Sequence, residues 1–321
     1  MSGWRAAAAR SAPPVVSALA LGGVAWWASH QQLPSLPTGR DALGALAAAI
    51  ALYALATLLR CERWQQLLEL TGVRSARADA YGLVAVGYMA NNTLIARAGD
   101  VLKVVLTAGR TGAGTTRIAG LAVGERAFDA LALLFLFVVA GLLSPRLGFA
   151  GSGAVLRDGA IAGAACLGLA GAALLARRTR IAAALRREAR TAALALRPLA
   201  GRAGLALLAL SVVIWLLEAC VYIAVGRAVG VPIDLLAGIQ IVALVNLIGL
   251  IPAAPANLGT FDAAVLFATR GLASGSGALA YVLILRLVLF VPITVVGLVV
   301  LLTRHGGLSR LRLQRPLSSQ T

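Results

Sequence analysis

The residues of this sequence that are best suited to chemistry lie in residues 91–103, NNTLIARAGDVLK, between two apolar stretches. Gly99 is a natural helix breaker, and Asp100 then suits the first turn of a new half-helix. The N-terminus of a half-helix offers unpaired backbone N–H groups, and Arg97 and Lys103 add charged donors beside it. We therefore predict a site for a phosphate or carboxylate group that uses Arg97 and Lys103. The structural alternative is that Arg97 and Asp100 pair with each other and the remaining polar groups snorkel to the cytoplasmic surface.

A second polar segment, residues 246–262, interrupts another apolar stretch with two prolines. A helix cannot continue through both prolines, so the segment predicts an unwound loop followed by a half-helix capped by Asn257 or Thr260. The alternative is an ordinary extracellular turn. The residues predicted to shape the backbone of the two breaks are Gly99, Pro252, Pro255 and Gly259.

A third set of charges, Glu125, Arg126 and Asp129, falls inside an apolar stretch. Glu125 and Asp129 are four residues apart and so share one helix face. A charge at the centre of a bilayer costs about 2.5–3.5 kcal/mol on insertion scales, so these groups should face the interior of a helix bundle. Their candidate partners are Arg97, Lys103 and Arg126. A structural ion-pair network and a substrate-positioning role both remain open.

Two more groups of charged residues lie near or inside apolar stretches. Glu218 is in the middle of one and needs a partner or a proton, which makes it a candidate for proton coupling, with Arg286 as a candidate mate. Arg60 and Arg63 come before Trp64, a pattern typical of a simple anchor at the membrane surface.

The composition indicates a polytopic α-helical membrane protein. Of 321 residues, 60% are hydrophobic and only 13% are charged, and the mean hydropathy is +0.88. The apolar runs lack the alternation of a barrel strand. The net charge of +17 reflects arginines in short loops, so no nucleic-acid partner is predicted. The three cysteines and two histidines have no companion ligands, so neither a metal nor a cofactor is predicted.

The chain is predicted to form one integral membrane domain, residues 1–321, with about six full spans. The N-terminus, the basic loop 177–202 and the basic tail 303–321 should be cytoplasmic, because short arginine-rich segments stay inside. The predicted spans are residues 13–30, 41–60, 118–143, 159–176, 203–226 and 278–302.

The stretches 80–110 and 235–270 must each cross the membrane an even number of times if this orientation holds. Each is therefore either a re-entrant segment or a pair of tight helices, and the sequence leaves that choice open. One enters from inside and the other from outside, which is typical of an inverted repeat with its binding site near the membrane midplane.

These motifs together resemble the lysylphosphatidylglycerol synthase transmembrane-region family of flippase-like proteins. The resemblance covers nearly the whole length. The matching elements, in chain order, are Arg60 and Arg63-Trp64, Asn91 through Lys103, Glu125-Arg126-x-x-Asp129, Asn257 through Asp262, and Arg286. Ile95 departs from the usual proline, Asp100 and Asp262 from glutamate, and Lys103 from arginine. Lysine lacks the bidentate fork of arginine, so the headgroup preference is an open point.

The resemblance implies translocation of a lipid between leaflets of the cell's inner membrane, by a protein that is not an enzyme. The lipid would be an anionic phospholipid or a polyprenyl or isoprenoid lipid, and no lysyl transfer is expected because the sequence stops at Thr321 after a short tail. The alternatives are a membrane-embedded transferase and an accessory partner of a separate lipid-modifying enzyme. The predicted substrate-binding residues are Asn92, Arg97, Asp100, Lys103, Glu125, Arg126, Asp129, Asn257 and Asp262.

Overall fold

The computed structural model describes residues 22–24, 26, 28–31, 37–94, 98–143, 201–249 and 255–304. These ranges are built from α-helices and contain no β-sheet. The helices are α1 Arg40–Leu70, α2 Arg77–Thr93, α3 Ala98–Thr111, α4 Thr115–Leu143, α5 Arg202–Ala228, α6 Leu235–Ile248, α7 Thr260–Ala268 and α8 Gly275–Arg304, with a 3₁₀ turn at Pro255–Asn257.

Four of these helices are long and apolar enough to cross a membrane, namely α1, α4, α5 and α8. They confirm the predicted spans in the same regions and the polytopic all-α class. The predicted span 159–176 lies outside the described residues, as do all but scattered residues of the span 13–30. Almost all of the basic loop 177–202 and of the tail 303–321 also lies outside them.

The chain breaks in both places where the sequence predicts it. Helices α2 and α3 are separated at residues 94–97, and helices α6 and α7 at residues 249–259. At 1.5 Å per residue, the 14-residue helix α6 is about 21 Å long and the nine-residue α7 about 14 Å. Both are shorter than a hydrocarbon core of about 30 Å.

Helices α2 and α3 form an antiparallel hairpin. The side chain of Asn91 contacts Asp100 next to the break, and Asp79 pairs with Arg110 at the opposite end of the two helices. Both free ends of the hairpin therefore lie together. This geometry agrees with the even number of crossings expected for residues 80–110.

Gly99 has a different role from the one its sequence suggests. It lies inside helix α3, so its interpretation as the helix breaker is wrong. A Cβ atom there would overlap the carbonyl oxygen of Gly87 and lie 2.5 Å from the amide nitrogen of Asn91. Glycine is needed because the backbones of the two half-helices touch at this point.

We expect Gly99→Ala to lower the free energy of unfolding by about 1–3 kcal/mol, as for other overpacked sites. The matched control is Gly44→Ala in helix α1, where an added Cβ meets nothing within 4 Å. That change should stabilise the helix by about 0.5–1 kcal/mol. Thermal unfolding of the detergent-purified variants measures both effects. Equal melting temperatures for the two variants would contradict the close approach of the hairpin backbones.

Each broken segment packs against its own apolar cluster. The larger cluster surrounds α6 and α7 and includes buried residues of α4, α5 and α8. The smaller one surrounds the α2–α3 hairpin and includes Trp64 and Leu67 of helix α1. Many large apolar side chains on α4 and α8 are exposed, as expected for surfaces that face lipid rather than water.

Candidate functional site

A buried ion network links the hairpin to the spanning helices, and Arg63 of helix α1 is at its centre. The Arg63 side chain is 1% exposed. Its guanidinium donates to Asp129 Oδ1 and Oδ2 at 2.6 and 3.1 Å and to Glu125 Oε1 at 3.2 Å. It also donates to the hydroxyl of Ser211 at 2.7 Å, and the indole N–H of Trp215 donates to Asp129 at 3.1 Å. These bonds join helices α1, α4 and α5.

Lys103 brings helix α3 into the same network. Its ammonium lies 2.5 Å from Glu125 Oε2 and 4.0 Å from the centre of the Trp64 ring. Lys103 is therefore buried between a carboxylate and an aromatic face, a combination that stabilises a cation away from water. The predicted partnership of Glu125 with Lys103 is found, and Glu125 and Asp129 both face the interior of the bundle.

Arg60 and Glu218 form a second buried pair, between helices α1 and α5. The Arg60 guanidinium also lies 5.1 Å from the centre of the Trp215 ring. The expected mate of Glu218, Arg286, is not its partner. The interpretation of Arg60 and Arg63 as a surface anchor is also wrong, because helix α1 continues to Leu70 and places both arginines in the interior.

At the first break, Asp100 and Arg126 form an ion pair that we call the first clasp. An Arg126 nitrogen lies 2.7 Å from Asp100 Oδ1, and a second one lies 3.7 Å from Asp129. The amide group of Asn91 donates to Asp100 at 3.1 Å, while its oxygen accepts the backbone N–H of Asp100 at 3.2 Å. The first clasp thus ties the start of helix α3 to the end of α2 and the middle of α4.

At the second break, Asp262 and Arg286 form the second clasp. The guanidinium donates twice to the carboxylate, at 2.7 and 2.8 Å, and also to the carbonyl of Ala256 at 3.2 Å. Asp262 Oδ2 in turn accepts the backbone N–H of Gly259 at 2.9 Å. Gly259, with φ of 82°, is the residue before helix α7. The predicted cap at Asn257 or Thr260 is therefore wrong, and Gly259 occupies that position.

The two clasps occupy equivalent positions in their half of the chain. Asp100 and Asp262 are each the third residue of a half-helix, α3 and α7. Arg126 and Arg286 are each the twelfth residue of the long spanning helix that follows, α4 and α8. An acid in a half-helix therefore pairs with an arginine in the following spanning helix at both breaks.

The two breaks lie near each other along helix α8. Asn92, at the end of α2, donates to Thr294 Oγ1 at 2.8 Å and to the carbonyl of Phe290 at 3.4 Å. Arg286 is one helical turn before Phe290, and the turn Pro255–Asn257 packs against α2. Asn92 thus connects the end of the first break to the helix that carries the second clasp.

The charges around the first break cancel within the part of the chain that the structure describes. Arg60, Arg63, Lys103 and Arg126 contribute +4, and Asp100, Glu125, Asp129 and Glu218 contribute −4. The second clasp is also neutral. A network of this kind can persist in a bilayer because each buried charge has a partner.

The structure brings most of the predicted site residues into these contacts: Asn92, Asp100, Lys103, Glu125, Arg126, Asp129, Asn257, Gly259 and Asp262. Arg97 and Pro252 lie outside the described residues. Pro255 begins the 3₁₀ turn. Arg63, Trp64, Ser211 and Trp215 were missed as site residues. The spacing Arg60-x-x-Arg63-Trp64 was the signal that could have found the first of them. No cluster of metal-ligating side chains occurs in the described ranges.

Residues 14–297 of the chain match the family model for the lysylphosphatidylglycerol synthase TM region. The match includes both broken segments, both clasps and the buried ion network, and it confirms the family that the motifs resemble. Comparisons with curated proteins and with solved structures gave no match.

Proposed function

This chain belongs to the lysylphosphatidylglycerol synthase transmembrane-region family, and from that premise we propose that it translocates a phosphate-bearing lipid between membrane leaflets. The family and the apolar helices make it a multi-pass membrane protein of a lipid-related process. Translocation, the inner cell membrane as its location, and the lack of a catalytic reaction are parts of the proposal.

The exposure of the first clasp carries the proposal. The side chains of Arg126 and Asp100 are 35% and 29% exposed. Arg126 is the twelfth of the 29 residues of α4, about 5 Å from the helix midpoint at 1.5 Å per residue. The exposed apolar residues Val101 and Val123 flank the pair. A charge pair left uncovered among lipid-facing residues is costly, and a polar headgroup that contacts it there would offset that cost.

The chemistry of the first clasp suits a phosphate. The planar guanidinium of Arg126 matches a phosphate as well as a carboxylate, so a headgroup can replace Asp100 on it while Asp100 keeps its hydrogen bonds with Asn91. Asn91 supplies an amide donor at the same place, and Arg97 follows in the sequence of the four-residue break, residues 94–97. Lys103, by contrast, would reach a headgroup only after leaving Glu125.

Leaflet exchange in liposomes tests this function. Fluorescent phosphatidylglycerol, phosphatidylcholine and a polyprenyl phosphate would be reconstituted separately with the protein, and the accessible label would be quenched from outside. We expect Arg126→Gln to slow exchange of the transported lipid by about 10- to 100-fold, since a hydrogen bond to a charged group contributes about 1.5–3 kcal/mol.

The matched control is Arg110→Gln, which removes a cation from the same hairpin at the end far from the break. Arg110 lies 2.9 Å from Asp79 there, and exchange should stay close to that of the wild type. The double variant Arg126→Gln with Asp100→Asn leaves no unpaired charge and should fold, yet remain slow. Wild-type protein that folds but exchanges none of the lipids would overturn the proposal. In that case, product formation by the purified protein would support a transferase. Activity that occurs only with a co-purified enzyme would support an accessory partner.

A further inference from the structure

The second clasp repeats the first in sequence position and chemistry, but it is closed. The side chains of Arg286 and Asp262 are 17% and 7% exposed, about half and a quarter of the values at the first clasp. The rings of Phe261 and Phe290 cover the guanidinium at 5.2 and 5.0 Å from its central carbon. One conformation therefore presents one arginine and hides its equivalent.

The turn beside the second clasp is held in an unfavourable backbone conformation. Ala256 and Asn257 have φ of 52° and 49°, in the left-handed region that non-glycine residues rarely adopt. Their carbonyl groups accept hydrogen bonds from Arg286 at 3.2 and 3.5 Å. Loss of the Arg286 contacts would release this strain, which favours an open form of the turn.

We infer that Arg286 is a second headgroup-binding residue, equivalent to Arg126, and that the two clasps open in turn. The inference rests on the proposed function. A phosphate headgroup would replace Asp262 on Arg286 as it replaces Asp100 on Arg126, using the two guanidinium nitrogens that now donate to Asp262. The headgroup would therefore pass from one arginine to the other near the membrane midplane while its acyl chains remain in lipid.

Asn92 couples the two clasps in this mechanism. It lies eight residues before Asp100 and bonds to α8 at Thr294, eight residues after Arg286. A shift of α8 that opens the second clasp must therefore move the end of α2, where Asn91 holds Asp100. The same contact transmits an opening of the first clasp back to α8.

Cysteine labelling tests the reciprocal opening without any transport assay. In a protein with Cys61, Cys166 and Cys220 replaced by alanine, Leu94→Cys reports on the first break and Leu258→Cys on the second. Both leucines are partly exposed, at 46% and 38%, and lie next to the half-helices. The two reporters are placed in separate proteins in lipid nanodiscs and labelled with a water-soluble maleimide.

We expect Asp262→Asn to raise the labelling rate of the Leu258→Cys reporter several-fold and to lower that of the Leu94→Cys reporter. Arg286→Lys keeps the charge, removes the fork, and should act in the same direction. Adding Asn92→Ala should abolish the distant effect and leave the local one. A Leu94→Cys rate that does not respond to either clasp variant would overturn the reciprocal opening, whatever the transport activity.

Protection by ligand tests the second site itself, with the Asp262→Asn, Leu258→Cys protein. Nanodiscs containing phosphatidylglycerol should protect the reporter from labelling relative to nanodiscs of an uncharged glycolipid. Inorganic phosphate should not protect it. Equal protection by free phosphate would overturn a lipid headgroup as the occupant, and protection by neither would overturn the second site, even if the first clasp still supports leaflet exchange.

Discussion

Replacing Arg63 with methionine is expected to lower the free energy of unfolding by about 3–5 kcal/mol, the usual cost of removing one partner from a buried ion pair. The Arg63 guanidinium binds Asp129 through two hydrogen bonds and Glu125 through one. Methionine fills a similar volume but leaves Asp129 without its closest cation. The loss is measured by thermal unfolding and by urea unfolding of the detergent-solubilised variants, each monitored by intrinsic tryptophan fluorescence. Urea is used rather than a guanidinium salt as the denaturant.

Two companion variants separate the ion pairs from general effects of mutation. Arg63→Lys keeps the charge but not the fork, so its loss should be smaller than that of Arg63→Met. Arg77→Met removes a cation that is 69% exposed and 3.6 Å from Glu62. A surface pair of this kind contributes about 0–1 kcal/mol. An equal loss for Arg63→Met and Arg77→Met would show that Arg63 does not hold the network together.

The Arg60–Glu218 pair is expected to give strongly non-additive effects. Arg60→Met and Glu218→Leu should each destabilise the protein by about 3–5 kcal/mol, since each leaves one buried charge without a partner. The double variant should lose less than either single one, because apolar side chains replace the whole pair between α1 and α5. A double-mutant cycle of unfolding free energies measures the coupling.

Additive losses in that cycle would contradict the pairing of Arg60 with Glu218.

The candidate coupling role of Glu218 is a separate prediction, and Glu218→Gln would test it through the pH dependence of leaflet exchange. The structure supplies the partner that a charge at this depth requires.

The sequence predicted the regions of the four described spans and of both breaks because these depend on local properties. Long apolar runs specify membrane helices, and prolines or clustered polar residues interrupt them. The inward direction of Glu125 and Asp129 also follows from local spacing, since residues four apart share a helix face. The partnership of Glu125 with Lys103 could also be predicted, because it requires only that the α2–α3 hairpin packs against the next helix, α4.

The remaining contacts depend on which helices pack together, and one sequence does not specify that. The sequence around Arg63 predicts a surface anchor because an arginine beside a tryptophan has the same pattern at a helix end and in the interior. Arg286 is a candidate partner of Glu218 by sequence, whereas the packing of α1 on α5 pairs Glu218 with Arg60. The sequence around Gly99 predicts a helix breaker because a contact glycine and a breaker glycine have the same sequence signal.

The neutrality of the buried network has an electrical consequence. The membrane potential does work on a charge that moves through it, about 2.3 kcal/mol per elementary charge for each 100 mV. The described ion pairs add no net charge, so rearranging them as neutral units couples only weakly to the voltage. An anionic headgroup that replaces Asp100 and crosses the midplane carries its own negative charge. The voltage dependence of the transport cycle would then come from the lipid, and it would favour movement of the anion toward the positive side of the membrane.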